Sequence, residues 1–397
     1  ADVILVNTCA IREHAEERVV GRLTQLLPHK KRSPGVRIGV IGCMAQHYRE
    51  RLLDRLPFVD LILGPDEYRK LPHLLAEGGF DDPMVEVRLG REETYADLLP
   101  ARTPGVRAWV TVMRGCDKFC SFCVVPFVRG RERSLPLDVL LEQVRDAAAE
   151  GFREVVLLGQ TVNAYHDGDR DFADLLRGAA KVDGIERIRF TSPHPSDMSE
   201  RAIEAMAAEP KICPQLHLPL QSASNPVLAR MERGYTIEEY DALVGRLRRA
   251  IPGLELSTDV IVGFPGETEE DFGATRDYLA ATGYDGAFLF AYSAREVTKA
   301  ARWPETVPPD EKRRRLEELI ALQQSISTAR NRAWHGREVE VLVEGPAKRP
   351  PGWLAGKSAE FKTTVFASDR HAPGDLVRVS VRDSTPHTLI GEALENA

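Results

Sequence analysis

Between Ala108 and about Pro304 the chain alternates a short apolar run with an amphipathic stretch six times, and that alternation restricts the fold more than any other feature. The apolar runs are 109–113, 154–158, 187–191, 215–218, 255–262 and 287–291, with amphipathic segments such as 137–150 and 268–281 between them. Strands separated by helices cannot pair as tight hairpins; they run parallel, and each crossover returns the chain to the same end of the sheet. Six such units predict a partial (β/α)6 parallel barrel, with chemistry in the loops that follow the strands.

The first hundred residues repeat the logic on a smaller scale. Strands are expected at 3–6, 37–41 and 59–63 and helices at 12–27 and 48–56, which together make a small α/β domain with a parallel sheet. Cys9 and Cys43 each fall just past a strand, in Asn7-Thr8-Cys9 and Gly42-Cys43, where open parallel sheets place ligands. The sequence starts with Ala1 rather than Met and runs straight into an apolar strand, so this domain is expected to be truncated at its start. A polar stretch with Pro and Gly, 88–107, reads as a linker.

A long amphipathic helix is expected at 309–334, with Leu316, Leu319 and Ile320 on one face. Its run Lys312-Arg313-Arg314-Arg315 is expected to be a solvated face. From Arg337 the character changes to short β-type runs at 339–343, 363–366, 376–381 and 388–390, separated by Gly, Pro and Asp turns. These predict a small β-barrel, a type often used to hold nucleic acid. Eight Lys or Arg against nine Asp or Glu in 337–397 leave a structural or interdomain role open as well. The expected domains are therefore 1–100, 101–335 and 336–397.

Composition narrows the class. With 43% apolar and 28% charged residues the chain can bury a real core, and it has neither a bilayer-length apolar stretch nor a secretory signal, so a cytoplasmic protein is expected. Six cysteines in 397 residues are too few for a disulfide scaffold. A net charge of −7 argues against sequence-blind nucleic-acid binding, which rests on neutralising many phosphates.

The chemistry concentrates in Arg114-Gly115-Cys116-Asp117-Lys118-Phe119-Cys120-Ser121-Phe122-Cys123, between the first barrel strand and its helix. Three thiolates spaced CxxxCxxC can each take a different iron of a cubane and leave the fourth iron without a protein ligand. Zinc would want a closed set of four ligands, and no histidine lies near enough in sequence to complete one; a zinc knuckle closed by a distant residue and a redox disulfide pair stay open. Gly159 and Gly263 permit close backbone approach at strand ends, while Gln160, Asn163, Ser192, Gln221 and Ser222 offer hydrogen bonds to a polar ligand. His194 and His217 read as hydrogen-bonded structural residues, and Cys213 as a core cysteine.

With aromatic Phe122 before its last cysteine, the triplet resembles the signature of radical S-adenosylmethionine enzymes. The segments 123–130, 158–165, Arg189-Phe190-Thr191-Ser192-Pro193-His194-Pro195, His217-Leu218-Pro219-Leu220-Gln221-Ser222 and Gly263-Phe264-Pro265-Gly266-Glu267-Thr268 resemble the methylthiotransferases, and within them the tRNA-modifying MiaB family. The likeness extends to the first residues and to the tail, which resembles a TRAM domain. It implies two [4Fe-4S] clusters: one on Cys116, Cys120 and Cys123 that binds S-adenosyl-L-methionine, with Phe122 near the adenine, and one on Cys9, Cys43 and an upstream cysteine this sequence lacks.

The implied reaction replaces the C2 hydrogen of N6-isopentenyladenosine beside the tRNA anticodon by a methylthio group, in a monomer served by a flavodoxin-type electron donor. Sister activities on threonylcarbamoyl-adenosine or a ribosomal-protein aspartate, an RNA-binding protein with a relict barrel, and a zinc-stabilised structural protein are the alternatives. Thr161, Ala223 and Val297 depart from the family pattern, which has Asn at the first position and Gly at the other two.

Overall fold

A computed structural model describes residues 1–10, 13–76 and 82–394. Arg12, expected to open the first helix, lies outside the described residues. The chain divides into two compact units. One comprises Ala1–Thr94, Arg114–Arg133 and Ser293–Arg302; the other comprises Tyr95–Met113, Ser134–Tyr292 and Trp303–Ala397.

In the first unit four parallel strands, β1 (Val3–Thr8), β2 (Arg37–Gly42), β3 (Leu61–Leu63) and β4 (Met84–Glu86), pair in sequence order. Their core is Leu23, Ile38, Val40, Met44, Leu52, Leu56 and Ile62. Asp60, just before β3, ties it to β2 by accepting from Ile38 N (2.7 Å) and pairs with Lys30 (2.5 Å). β4 is not marked in the sequence because its apolar pair Met84-Val85 stands between Asp82-Pro83 and Glu86, too little for a strand pattern. The helical stretch expected at 48–56 is present as a 3₁₀ turn, Arg49–Arg51, and a short helix, Leu52–Arg55; it is preceded by an unexpected helix, Cys43–Tyr48, that leaves β2 directly and breaks at Arg49 (φ +53°).

The second unit contains the six parallel strands of the expected partial barrel: β5 (Arg107–Thr111), β6 (Glu154–Leu158), β7 (Arg187–Phe190), β8 (Gln215–His217), β9 (Glu255–Val262) and β10 (Gly286–Ala291). They form two three-stranded sheets, β7-β6-β5 and β8-β9-β10, joined by a bridge between Ile188 of β7 and Ile212 just before β8, so β5 and β10 lie at the two ends of the arc. Ala108, Val110, Val155, Leu157, Ile188, Leu216 and Leu256 alternate outward into the helical layer and form its core. No described helix is long and apolar enough to cross a membrane.

The helix Pro309–Arg332 packs through Leu319, with Leu316 partly buried. Ile320, expected on the same face, is 41% exposed, because the stripe that contacts β10 is narrower than the apolar pattern suggests. The basic run also needs correction, since Lys312 and Arg315 are buried rather than solvated. Lys312 reaches Glu305 (2.7 Å) and the Tyr292 ring, and Arg315 reaches Glu311 (2.8 Å) and Glu269 (3.1 Å), so each buried cation is compensated.

The tail closes into a barrel of β11 (Glu338–Pro346), β12 (Trp353–Ser358), β13 (Thr363–Ala367), β14 (Leu376–Ser384) and β15 (Leu389–Ala393), in the order β11-β12-β13-β15-β14. β12 was not expected, because Gly356 and Lys357 interrupt its apolar run. Gly356 is required there, since a Cβ would lie 2.1 Å from the Leu342 carbonyl.

This small barrel is fastened under the N-terminal ends of the arc by buried arginines. Arg189 donates to the carbonyls of Ala359 (2.8 Å) and Ser358 (2.7 Å) and to Glu154 (2.9 Å); Arg187 donates to those of Lys357 (2.6 Å) and Glu340 (2.8 Å). Glu154 is fully buried and shared between Arg189 and Arg107. We expect Arg189→Met to cost about 3–5 kcal/mol, the usual penalty for breaking one side of a buried ion pair. Urea unfolding checks the value, and faster amide exchange in β12 would locate it.

Candidate functional site

The cysteine loop hangs from a polar anchor. Asp66 accepts from Arg133 (3.0 Å) and from Gly90 N (3.0 Å) and pairs with Arg114, which fixes both ends of the segment 114–133. The loop then closes on itself: Cys116 N donates to Gly130 O (3.1 Å), and Asp117 and Glu132 exchange backbone-to-carboxylate bonds at 3.0 and 3.2 Å. Gly115 makes the closure possible. Its φ is +81°, and a Cβ would stand 1.9 Å from the Arg131 carbonyl.

Within the closed loop Cys116 and Cys120 are buried, Cys123 is half-buried, and no disulfide joins any of the six cysteines. Phe119 adopts a left-handed backbone (φ +49°) between the first two thiols, with its ring edge-on to Phe127. Phe122 is half-buried. No three His, Cys, Asp or Glu among the described residues converge on one metal-ion position. Thiolates are the donors an iron–sulfur cubane takes, one on each iron, and three of them stand on this one closed loop.

Cys9 and Cys43 follow β1 and β2, Cys9 exposed and Cys43 buried. Burial pushes the Cys43 thiol up, opposed by Arg129, whose Nε lies 2.9 Å from Cys43 Sγ. Arg129 ends the short helix Val125–Arg129 that follows Cys123, so one side chain links the segment of the triplet to Cys43. Ala10, Cys43, Val124 and Val128 share a small apolar cluster around it. The sequence reading missed Arg129, since nothing in a basic residue after an apolar run marks it as a sulfur partner.

The remaining candidate residues occupy loops after the arc strands and divide by what they bond. Asn163 is committed within the chain: its amide donates to His194 O (2.9 Å) and accepts from His194 N (2.8 Å), tying two loops together. Ser222 bonds Thr275 (3.2 Å) and accepts from Ser224 N (3.2 Å). Gly159 and Gly263 admit neighbours: a Cβ would meet Met113 Cγ at 2.7 Å and Lys312 Cγ at 2.4 Å, respectively. Gln160 is half-buried and Ser192 exposed, while Gln221 is buried; Ser192 and Gln221 both have positive φ (60° and 69°). Strained non-glycine backbone of this kind concentrates where geometry serves function.

His194 bonds Ser196 (2.7 Å), and His217 bonds Ser257 (3.0 Å) and pairs with Asp259 (3.2 Å), both in line with a hydrogen-bonded structural reading. Cys213 is buried and its thiol is pushed up to about 11 by burial. Glu267, which the sequence reading treated only as a helix-start residue, is buried; it accepts from Gly263 N and Phe264 N (3.0 Å) and lies 3.6 Å from Arg315. Burial pushes its carboxyl up to about 7 against those stabilising partners.

Three family models match the chain: "Radical SAM superfamily" over residues 110–279, "Uncharacterized protein family UPF0004" over 1–64 and "TRAM domain" over 332–394. The chain is 46% identical to a tRNA-2-methylthio-N(6)-dimethylallyladenosine synthase of Chlorobium phaeobacteroides, across 98% of this chain and 88% of the relative. It is 44% identical to one of Carboxydothermus hydrogenoformans, across 98% and 90%. This chain belongs to that synthase family.

Among solved structures, the radical S-adenosylmethionine methyltransferase TsrM of Kitasatospora setae superposes with a TM-score of 0.60 at 18% identity, covering 75% of this chain and 66% of that one. The likeness supports the fold. Two departures from the synthase family's pattern are structurally mild, since neither Ala223 nor Val297 has the positive φ that would require glycine. Thr161 is buried in the turn before Asn163.

Two outcomes are expected. Gly115→Ala opens the loop and lowers the iron bound after anaerobic reconstitution well below wild type, whereas Gly151→Ala, also at positive φ but with nothing within 4 Å, leaves it unchanged; iron analysis decides. Glu267 holds its proton in the folded chain more tightly than the ordinary 4.5. Its contribution to stability is therefore full below about pH 4.5 and lost as pH rises through about 7, a span worth at most about 3 kcal/mol. The difference in stability between wild type and Glu267→Gln should change across that window and be flat above it.

Proposed function

We propose that the chain replaces the C2 hydrogen of N6-dimethylallyladenosine beside the tRNA anticodon by a methylthio group, as a radical S-adenosylmethionine methylthiotransferase. The observation that carries this reading is the full-length likeness to synthases of that name, on a chain whose closed loop holds three thiols. Cys116, Cys120 and Cys123 would hold one [4Fe-4S] cluster with a corner open to S-adenosylmethionine. Cys9 and Cys43 would contribute to a second. When bound, the first cluster supplies the electron that cleaves S-adenosylmethionine.

The chain's own part is orientation. Gly115 and the Gly130 carbonyl fix the spacing of the thiols. Asn163 locks the loop after β6 to the loop after β7, which fixes where Gln160 and Ser192 stand. Gln221 N donates to Asp259 O (2.8 Å) and its carbonyl accepts from Ile261 N (3.0 Å), which holds its strained backbone beside β9. Hydrogen abstraction by a radical requires no general base, which agrees with both histidines being bonded within the chain.

A base in an anticodon loop is a reasonable target, because it can be splayed out without melting a duplex. In this reading residues 336–397 contact the RNA, the barrel 101–335 works as a monomer, and a flavodoxin-type protein donates electrons. The test is anaerobic reconstitution followed by incubation with S-adenosylmethionine, dithionite and dimethylallylated tRNA. Methylthiolated nucleoside and 5′-deoxyadenosine should form together and vanish in Cys120→Ala. Tight tRNA binding with no 5′-deoxyadenosine would instead make the chain an RNA-binding relict.

A further inference from the structure

The inward rungs of the arc enclose a cavity of about 440 Å³ that reaches from Phe361 of the small barrel to Thr191 and Ser192 at the exit of β7. Large hydrophobic side chains on strands are normally covered. Here Trp109 and Phe288 are 54% and 56% exposed and both line the cavity, although Ala108 and Val110 on either side of Trp109 are completely packed and Ala287 and Leu289 on either side of Phe288 are half-buried. Trp109 sits on β5 and Phe288 on β10, the strands at the two ends of the arc, so an aromatic face stands at either end.

Both rings are held in place. His217 packs edge-on against Phe288 (5.6 Å between centroids) and is itself tied to Ser257 and Asp259. Arg107 lies 5.8 Å from the Trp109 ring while paired with Glu154 and Glu344. The cations that line the chamber are engaged elsewhere. Arg189 bonds Glu154 and two carbonyls, Lys362 pairs with Glu255 and Asp285, and Lys357 turns to Thr363 Oγ1 and the Phe361 ring. The chamber offers aromatic surface rather than spare positive charge, which suits an uncharged apolar group and not a phosphate.

We infer that Trp109 and Phe288 form the receptor for the alkenyl substituent on N6 of the target adenosine, and so determine that the dimethylallylated base is preferred over plain adenosine. The inference rests on the substrate reading above. A branched five-carbon group against two aromatic faces supplies the apolar burial on which such discrimination depends, and the strained Ser192 at the chamber's rim is placed to meet the polar part of the same ligand.

The experiment is binding, not turnover. Two anticodon stem-loops of one sequence, one with N6-dimethylallyladenosine and one with adenosine, are titrated by fluorescence anisotropy against the full chain, reconstituted with iron and sulfide in the presence of S-adenosylmethionine. Wild type should prefer the alkylated stem-loop by about tenfold or more, the scale on which apolar pockets discriminate. Trp109→Ala and Phe288→Ala should bind both stem-loops as wild type binds the plain one, and Trp109→Phe should keep a reduced preference. Both side chains are half exposed, so truncation leaves no core cavity, and circular dichroism melts verify the fold. Wild-type preference retained in full by both alanine variants would overturn this inference alone. Equal wild-type binding of the two stem-loops would sink the substrate reading and this inference with it.

Discussion

A parallel strand pair cannot be closed by a tight turn, and this constraint organises the N-terminal sheet and the arc, though not the small barrel, whose strands pair mostly antiparallel. In the N-terminal sheet and in the arc each crossover carries the chain back along a helix, so their strands exit at the same end. Thr8 and Gly42 hand over to Cys9 and Cys43; Leu158, Phe190, His217 and Val262 hand over to Gly159, the Ser192 turn, the Gln221 turn and Gly263. The outward rungs Ala108, Val110, Val155 and Leu157 supply the burial that holds the arc together. The inward rungs are thereby released from packing duty, and they carry the unusual residues: an exposed tryptophan, an exposed phenylalanine and a tethered histidine.

Polar residues in the exit loops do two different jobs, and only bonding geometry separates them. Asn163 and Ser222 look as suited to a ligand as Ser192 does, yet their hydrogen bonds are taken by His194, Thr275 and Ser224. They make the loops rigid. Ser192 and Gln221 show the complementary feature, a left-handed backbone in residues that pay sterically for it. Such conformations persist only where surrounding bonds over-determine them, and Gln221 is held on both its N–H and its carbonyl by β9. Stiff supports beneath strained presenters suit a site that must position a reactive cofactor.

The strand–helix alternation and the cysteine spacing were legible because both are local and periodic. Strands β6 and β9 begin and end where the apolar runs do. β4 and β12 were not legible, the first because only Met84-Val85 are apolar between Asp82-Pro83 and Glu86, the second because Gly356 and Lys357 break its pattern for reasons of cross-strand approach and cation–aromatic contact. Lys312 and Arg315 were misread as solvated because a charge run says nothing about partners supplied from elsewhere; Glu305, Glu311 and Glu269 make their burial tolerable. Arg129 and the aromatic pair of the chamber depend on residues far apart in sequence meeting in space, and no window along the chain contains that information.

The small C-terminal barrel brings no surplus positive charge of its own, since its acidic and basic residues nearly cancel. Counterion release from many phosphates is therefore not something this barrel's own charge can supply. Its arginine contacts point the other way, with Arg187 and Arg189 of the arc donating to its backbone carbonyls and Lys362 reaching back to Glu255 and Asp285. Those bonds set Phe361 as the floor of the chamber. A protein that forgoes bulk electrostatic attraction must find its selectivity in shaped contacts to a base that has left its stack. On the proposed reading, Phe361, the two edge aromatics and the compensated cations would supply such contacts.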